Sequence, residues 1–187
     1  MKNVKDALYE LKTFSEFVVT LGYAAILQND IDIAVEAQHV KDKIRTLSYE
    51  IRVATIYTVR SSRDSSKEIF QLASLLQVGV AAKEISDGID DLVEIVVRGG
   101  GAHPLLRAVY GMEKYILKVE INEKSKAKGK RLTQINLEEI GYETLFVRRG
   151  KEYIINEQLD DIVLKKGDVI ILRGSEENCQ KAENKFS

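Results

Sequence analysis

Two pairs of carboxylates stand four residues apart in stretches with helical spacing: Asp32 with Glu36, and Asp87 with Asp91. At 3.6 residues per turn such pairs project from adjacent turns of one face, where their oxygens could share a divalent cation. The alternative is a solvated helix face, and the apolar spacing favours it by turning Asp87 and Asp91 away from the seam. A second group is cationic. Arg148-Arg149-Gly150 closes a stretch with strand spacing, and Lys128 and Lys130 stand near a predicted helix start. Guanidinium groups grip phosphate bidentately and helix-start N–H groups favour anions, so a phosphate group would suit this neighbourhood. The alternative is a pair of surface cations at a turn, one paired with Glu143 or Glu152. The run Lys124, Lys126, Lys128, Lys130, Arg131 could meet an anion or a membrane surface. Glu120 and Glu123 flank it and no aromatic residue interleaves, so a solvated loop is the stronger reading.

Little else in the chain has reactive potential. His39 sits beside an apolar seam, where a histidine is ordinarily a hydrogen-bonded boundary residue, and His103 falls in a linker. Cys179 has no histidine near it in sequence and receives no catalytic role. There is no P-loop, no Gly-x-Ser-x-Gly and no HExxH, and Gly99-Gly100-Gly101 follows a helical stretch rather than a strand. The expectation is that the protein is not an enzyme.

The elements that must position these residues follow from composition and periodicity. The chain has 187 residues, with 28 basic and 29 acidic side chains and a formal net charge of −1. That balance gives no general attraction to nucleic acid or to an anionic membrane. A hydrophobic fraction of 44% with 30% charged residues is the profile of a folded chain rather than a disordered one. One cysteine and two histidines exclude a disulfide framework, a cysteine-based zinc site and a multi-histidine metal site. The most apolar stretch, Phe17 to Leu27, is about half the length that spans a bilayer. Charges at Lys2, Lys5, Asp6, Glu10 and Lys12 occupy the place of a signal-peptide core. A cytoplasmic protein without direct membrane insertion is expected.

Three glycines and the only proline, in Arg98-Gly99-Gly100-Gly101-Ala102-His103-Pro104, mark a boundary after His103. Before it the pattern is helical. Ile33, Ala37, Val40, Ile44, Leu47, Ile51 and Ala54 alternate steps of four and three, as do Leu75, Val78, Ala82, Ile85, Ile89, Leu92 and Val96. Val4, Leu8, Leu11, Ser15, Val18, Gly22 and Ala25 give a weaker stripe, with small residues where helices could approach closely. Asn29 and Asp30 can cap a second helix, and Ser65 with Glu68 reads as a capping box. Three helices near 4–28, 31–60 and 66–98 predict an antiparallel bundle. Phe14, Leu21, Leu72 and Leu76 are expected on its outer faces, to be covered by a second bundle or a partner.

After the boundary the period changes to two. Tyr115, Leu117, Val119 and Ile121 alternate with Ile116, Lys118 and Glu120, and further strands are read at Thr144–Val147, Tyr153–Ile155 and Asp168–Leu172. Short helices are read near Lys130–Gln134 and Glu176–Lys185. Arg149-Gly150-Lys151 and Lys166-Gly167-Asp168 are tight turns. The fold class is therefore an all-α bundle over 1–103 joined to a small α+β domain over 104–187, the latter small enough to favour dimerisation.

The second half resembles the TrkA-C family, also called the RCK C-terminal domain. The resemblance runs through Val119-Glu120-Ile121, then Ser125-Lys126-Ala127-Lys128-Gly129-Lys130-Arg131-Leu132, Leu137, Gly141 and Phe146-Val147-Arg148-Arg149-Gly150. It continues through Leu164-Lys165-Lys166-Gly167-Asp168-Val169-Ile170-Ile171-Leu172-Arg173-Gly174. It implies a dimeric regulatory module of potassium channels, potassium uptake systems or other cation transporters, with a small effector in a cleft at the dimer interface. The effector would be a cyclic dinucleotide, another nucleotide or an ion. In such a cleft Arg148 and Arg149 would serve a phosphate, Asn156 a polar contact, and Ile154 or Ile155 an apolar wall. Glu157 opposes a phosphate.

The first half resembles the PhoU-like helical family through its three-helix pattern and Ile85-Ser86-Asp87-Gly88-Ile89-Asp90-Asp91. That resemblance implies carboxylates spaced by four that can hold a metal cluster. Here Lys83 stands four before Asp87, and Arg45 stands where a second acid is expected, so the cluster reads as lost. Together the two resemblances imply a homodimer, through the C-terminal domain and through the bundle as well, acting on a membrane cation channel or transporter. An adaptor in phosphate regulation and a regulator of magnesium transport are the alternatives.

Overall fold

In the computed structural model the described residues are 4–61, 66–111 and 114–187, without the side chains of 59–61 and 66–69. Ser65 and the Glu68 side chain, read as a capping box, lie outside them. The chain divides into two compact units, Met1–His103 and Pro104–Ser187.

The first unit is a bundle of α1 (Val4–Gln28), α2 (Ile31–Ser61) and α3 (Ser66–Val97). The joint between α1 and α2 is short because both ends are capped. Asn29 takes the left-handed conformation (φ 55°) that ends α1. Asp30 Oδ1 then accepts from the N–H groups of Asp32 (2.8 Å) and Ile33 (3.1 Å). All seven members of the predicted α2 stripe are buried. Each large apolar side chain among them contributes about 1.5–3 kcal/mol over leaving it in water.

Two expectations are corrected. Phe14 and Leu21 are fully buried rather than outward, because α1 is apolar over a wide arc and meets both neighbours; Leu72 and Leu76 are half-buried. On α3 the buried stripe runs one residue later than predicted at several steps, through Gly79, Ala82, Ser86, Ile89, Val93 and Val96. Val78 and Ile85 are left exposed. The cause is close approach at small residues. The Ser48 hydroxyl donates to the Gly79 carbonyl at 2.9 Å, and a Cβ on Gly22 would stand 2.3 Å from Ile89 Cγ2. Helices meeting at such points turn their small residues inward.

The second unit opens with the short α4 (Pro104–Val109), followed by β1 (Tyr115–Glu120), β2 (Glu143–Arg149), β3 (Glu152–Ile154), β4 (Asp168–Gly174) and α5 (Cys179–Phe186). The strands form one antiparallel sheet in the order β1-β4-β2-β3. The predicted helix near Lys130–Gln134 is one 3-10 turn, Leu132–Ile135; others span Glu138–Ile140, Asn156–Leu159 and Glu176–Asn178.

Cross-strand register sorts the sheet into two faces. Leu117, Val147, Ile170 and Leu172 pack with Leu132, Ile135, Leu137, Ile162, Leu164, Ala182 and Phe186 in one core. On the other face Ile116, Phe146, Val169 and Ile171 are also buried. Burial of both faces explains why Leu145–Val147 and Val169–Leu172 read as continuous apolar runs instead of alternating.

Candidate functional site

The stretch Ser125–Leu132, rich in cations, is held by its small and apolar members. Ser125, Ala127 and Leu132 are buried, while Lys124, Lys126, Lys128, Lys130 and Arg131 point to solvent. Gly129 (φ 81°) donates to the Leu164 carbonyl, and Leu132 donates to Ile162, so the stretch is laced to the segment before β4. Lys128 and Lys166 pair with Glu123, and Arg131 with Asp161. These exposed pairs are screened by water and contribute little to stability.

Below this lacing the two turns Leu132–Ile135 and Asn156–Leu159 stand apart and leave a groove of about 520 Å³, within the range of small-molecule sites. Leu132, Leu137 and Leu159 supply its apolar wall. Thr133, Asn136, Thr144 and Asn156 supply hydrogen-bonding groups, and Glu138, Glu139, Glu143 and Asp160 supply carboxylates. Asn136 (φ 51°) and Asn156 (φ 53°) both adopt the left-handed backbone. Asparagine tolerates that conformation better than most residues, which places an amide side chain at both turns.

Tyr142 also lines the groove. Its ring packs against Gly174, where a Cβ would fall 2.5 Å from the ring carbons, and its hydroxyl donates to the Ser175 carbonyl at 2.7 Å. Burial pushes the phenol up to about 12. Arg173 Nε donates to Glu143 at 2.8 Å and holds that carboxyl below the ordinary glutamate range. Lys185 reaches the Asn136 carbonyl (3.1 Å) and Glu139 (3.5 Å).

Of the sequence candidates, Asn156 lines the groove, whereas Arg148, Arg149, Ile154 and Ile155 are not among its lining residues. Arg149 does not pair with Glu143; its fork grips the fully buried Asp168, and its Nη2 also donates to the Val163 carbonyl at 2.9 Å. Glu143 turns instead to Arg173. Arg148 donates to the Gly150 carbonyl at 3.2 Å across the β2–β3 turn. Sequence reading missed Asn136, Glu138, Glu139 and Asp160. The only signal was acids and amides clustered in two turns 20 residues apart, a spacing that carries no periodicity.

The carboxylates of the bundle are placed differently. Asp87 meets Lys83, Arg45 (3.4 Å) and Lys41 (3.7 Å), and Lys41 also pairs with Asp90. The Lys83 hydrogen bond and the charges of Lys41 and Arg45 hold the Asp87 carboxyl below its ordinary range. Asp91 and Asp32 are exposed and Glu36 is buried. Among the described residues no three histidine, cysteine, aspartate or glutamate side chains gather as a metal site. Two of the three cations around Asp87, Lys83 and Arg45, are the departures seen in the sequence.

The second unit is thus an antiparallel sheet laced to cationic loops, with a polar groove between two of its turns. Residues 116–187, within the second unit, match the model of the TrkA-C domain, and a helical unit precedes them in the chain. The match connects the protein with the regulation of ion transport. Comparison with curated proteins gives no match. Among the described residues no helix is long and apolar enough to cross a membrane.

Proposed function

We propose that the protein is a non-catalytic, cytoplasmic regulatory subunit of a cation channel or transporter, potassium-directed, that senses a small effector with its TrkA-C unit and relays it through a PhoU-like bundle. The observation that carries this reading is the groove between the Asn136 and Asn156 turns, lying inside the TrkA-C unit. Two copies of the unit would pair around it, and the effector would bias one arrangement by binding it more tightly than the other.

Within the site Asn156 contacts the effector, Ile154 and Ile155 stiffen the strand that leads to it, and Arg148, on β2, is the proposed phosphate contact. Arg149 serves as a positioning residue through Asp168. Four carboxylates on the groove disfavour a bare phosphate and suit the hydrogen-bond donors of a nucleotide's base edge. A divalent effector would carry the second reading, regulation of magnesium transport.

The test is cation uptake. Cells lacking the protein should show altered potassium or rubidium influx, restored by the wild-type chain and not by Asn156→Ala. Unchanged influx for potassium and for magnesium would reject the reading.

A further inference from the structure

Helix α3 carries two apolar stripes offset by one residue. The inner one is buried in the bundle. The outer one, Val78, Ala81, Ile85, Gly88, Leu92 and Ile95, advances by the same alternate steps of three and four. Val78, Ile85 and Ile95 are 50%, 48% and 44% exposed; Ala81 and Gly88 are exposed and Leu92 is half-buried. The strip is roughly 26 Å long at 1.5 Å per residue, a length suited to a partner helix.

Gly88 points to close approach from outside. Glycine weakens a helix interior. Gly22 and Gly79 each have a neighbour that a Cβ would crowd, Ile89 and Ser48, but a Cβ on Gly88 would meet nothing within 4 Å. Among the described residues nothing requires glycine there, whereas a helix laid against the strip would.

The charges name the occupant. Glu84 and Asp91 each precede a strip residue by one, are exposed, and enter no ion pair among the described residues. Asp87 and Asp90, on the side of α3 that faces α2, are paired with Lys41, Arg45 and Lys83. A second copy of α3 laid antiparallel would bring one acidic edge against the other, and an anionic bilayer would be repelled likewise. A helix with an apolar face and flanking lysines or arginines satisfies both the strip and its edge.

We propose that the outer strip of α3, edged by Glu84 and Asp91, docks a basic amphipathic helix of the membrane partner. Cytoplasmic segments of membrane proteins carry an excess of Lys and Arg. The inference rests on the transport reading for the bearer of that helix, not for the chemistry of the surface.

The experiment uses the full chain and a fluorescent 18-residue amphipathic helix of Leu and Lys, read by anisotropy. Saturable binding is expected, at least tenfold weaker for Ile85→Asp and for Glu84→Lys with Asp91→Lys, and absent for the Leu/Glu counterpart. Circular dichroism checks that each variant keeps its helix content; the charge-reversed chain leaves every apolar residue in place. Equal affinity across the variants, or no binding, overturns the proposal. So does efficient disulfide pairing of Gly88→Cys between copies in a Cys179→Ser chain, which would assign the strip to self-association. Binding to phosphatidylglycerol vesicles that Ile85→Asp abolishes would assign it to lipid and overturn it too. The uptake assay with Asn156→Ala reads the other unit, so either proposal can fail alone.

Discussion

Arg149 grips Asp168 with both arms of its guanidinium, Nε at 2.7 Å from one carboxylate oxygen and Nη2 at 2.7 Å from the other. Asp168 is fully buried, and its Oδ2 also accepts the Lys165 N–H at 2.8 Å. One pair thus fastens the end of β2, the start of β4 and the turn before it. Asp168→Ala would leave a half-buried cationic fork without its carboxylate partner. It should destabilise the TrkA-C unit by about 3 kcal/mol in urea unfolding followed by circular dichroism. Arg149→Lys should recover little, because an ammonium cannot span both oxygens.

Tyr142 couples the groove to the end of β4. Tyr142→Phe should cost about 1 kcal/mol through the lost bond to Ser175. The pH dependence has a definite sign. An unfolded tyrosine titrates near 10.0, whereas burial holds Tyr142 to about 12. Between those values the native state retains a proton the unfolded state releases, so this contribution is complete below pH 10 and is lost as the pH climbs toward 12. In the Phe variant that part of the alkaline slope should vanish from a stability–pH profile.

Much of the bundle was readable in advance, and the limits of that reading are physical. The α2 stripe was correct at every position because one helix packed on two neighbours buries one 3.6-period face. The α3 stripe slipped because Gly79 and Ser86 carry no hydrophobic signal, although their small size determines where α2 comes closest. In the second unit both turns and all four strands were legible. The groove was not, because it is assembled from two irregular turns whose meeting depends on tertiary pairing. Arg149 showed the same limit: its type suited a phosphate equally well, and only the fold reveals Asp168 beneath it.

Gly22 fixes the spacing of α1 and α3. Gly22→Ala would drive a methyl group into Ile89 and should destabilise the bundle by about 1–3 kcal/mol. Ile89→Ala opens room, so the double variant should be more stable than the two single effects added together, as a double-mutant cycle in thermal or urea unfolding would measure.

Asp87 titrates below its ordinary value, near 3.8, because Lys83, Lys41 and Arg45 favour its ionised form. Its depressed value means that the stabilisation is present above pH 3.8 and is lost as acid protonates the folded carboxyl. Lys83→Met with Arg45→Met should move the Asp87 carboxyl resonance in an NMR titration upward toward the ordinary range. It should also weaken the acid dependence of unfolding.

The central claim is that the TrkA-C groove receives a dissolved signal. Isothermal titration calorimetry of the full chain against a cyclic dinucleotide, ATP, and magnesium and calcium ions tests it most directly. Saturable heat with at least one of these, weakened tenfold or more by Asn156→Ala while a lysine in place of Arg131 leaves it unchanged, is the predicted result. Absence of heat with all of them, or binding indifferent to Asn156, would contradict the account.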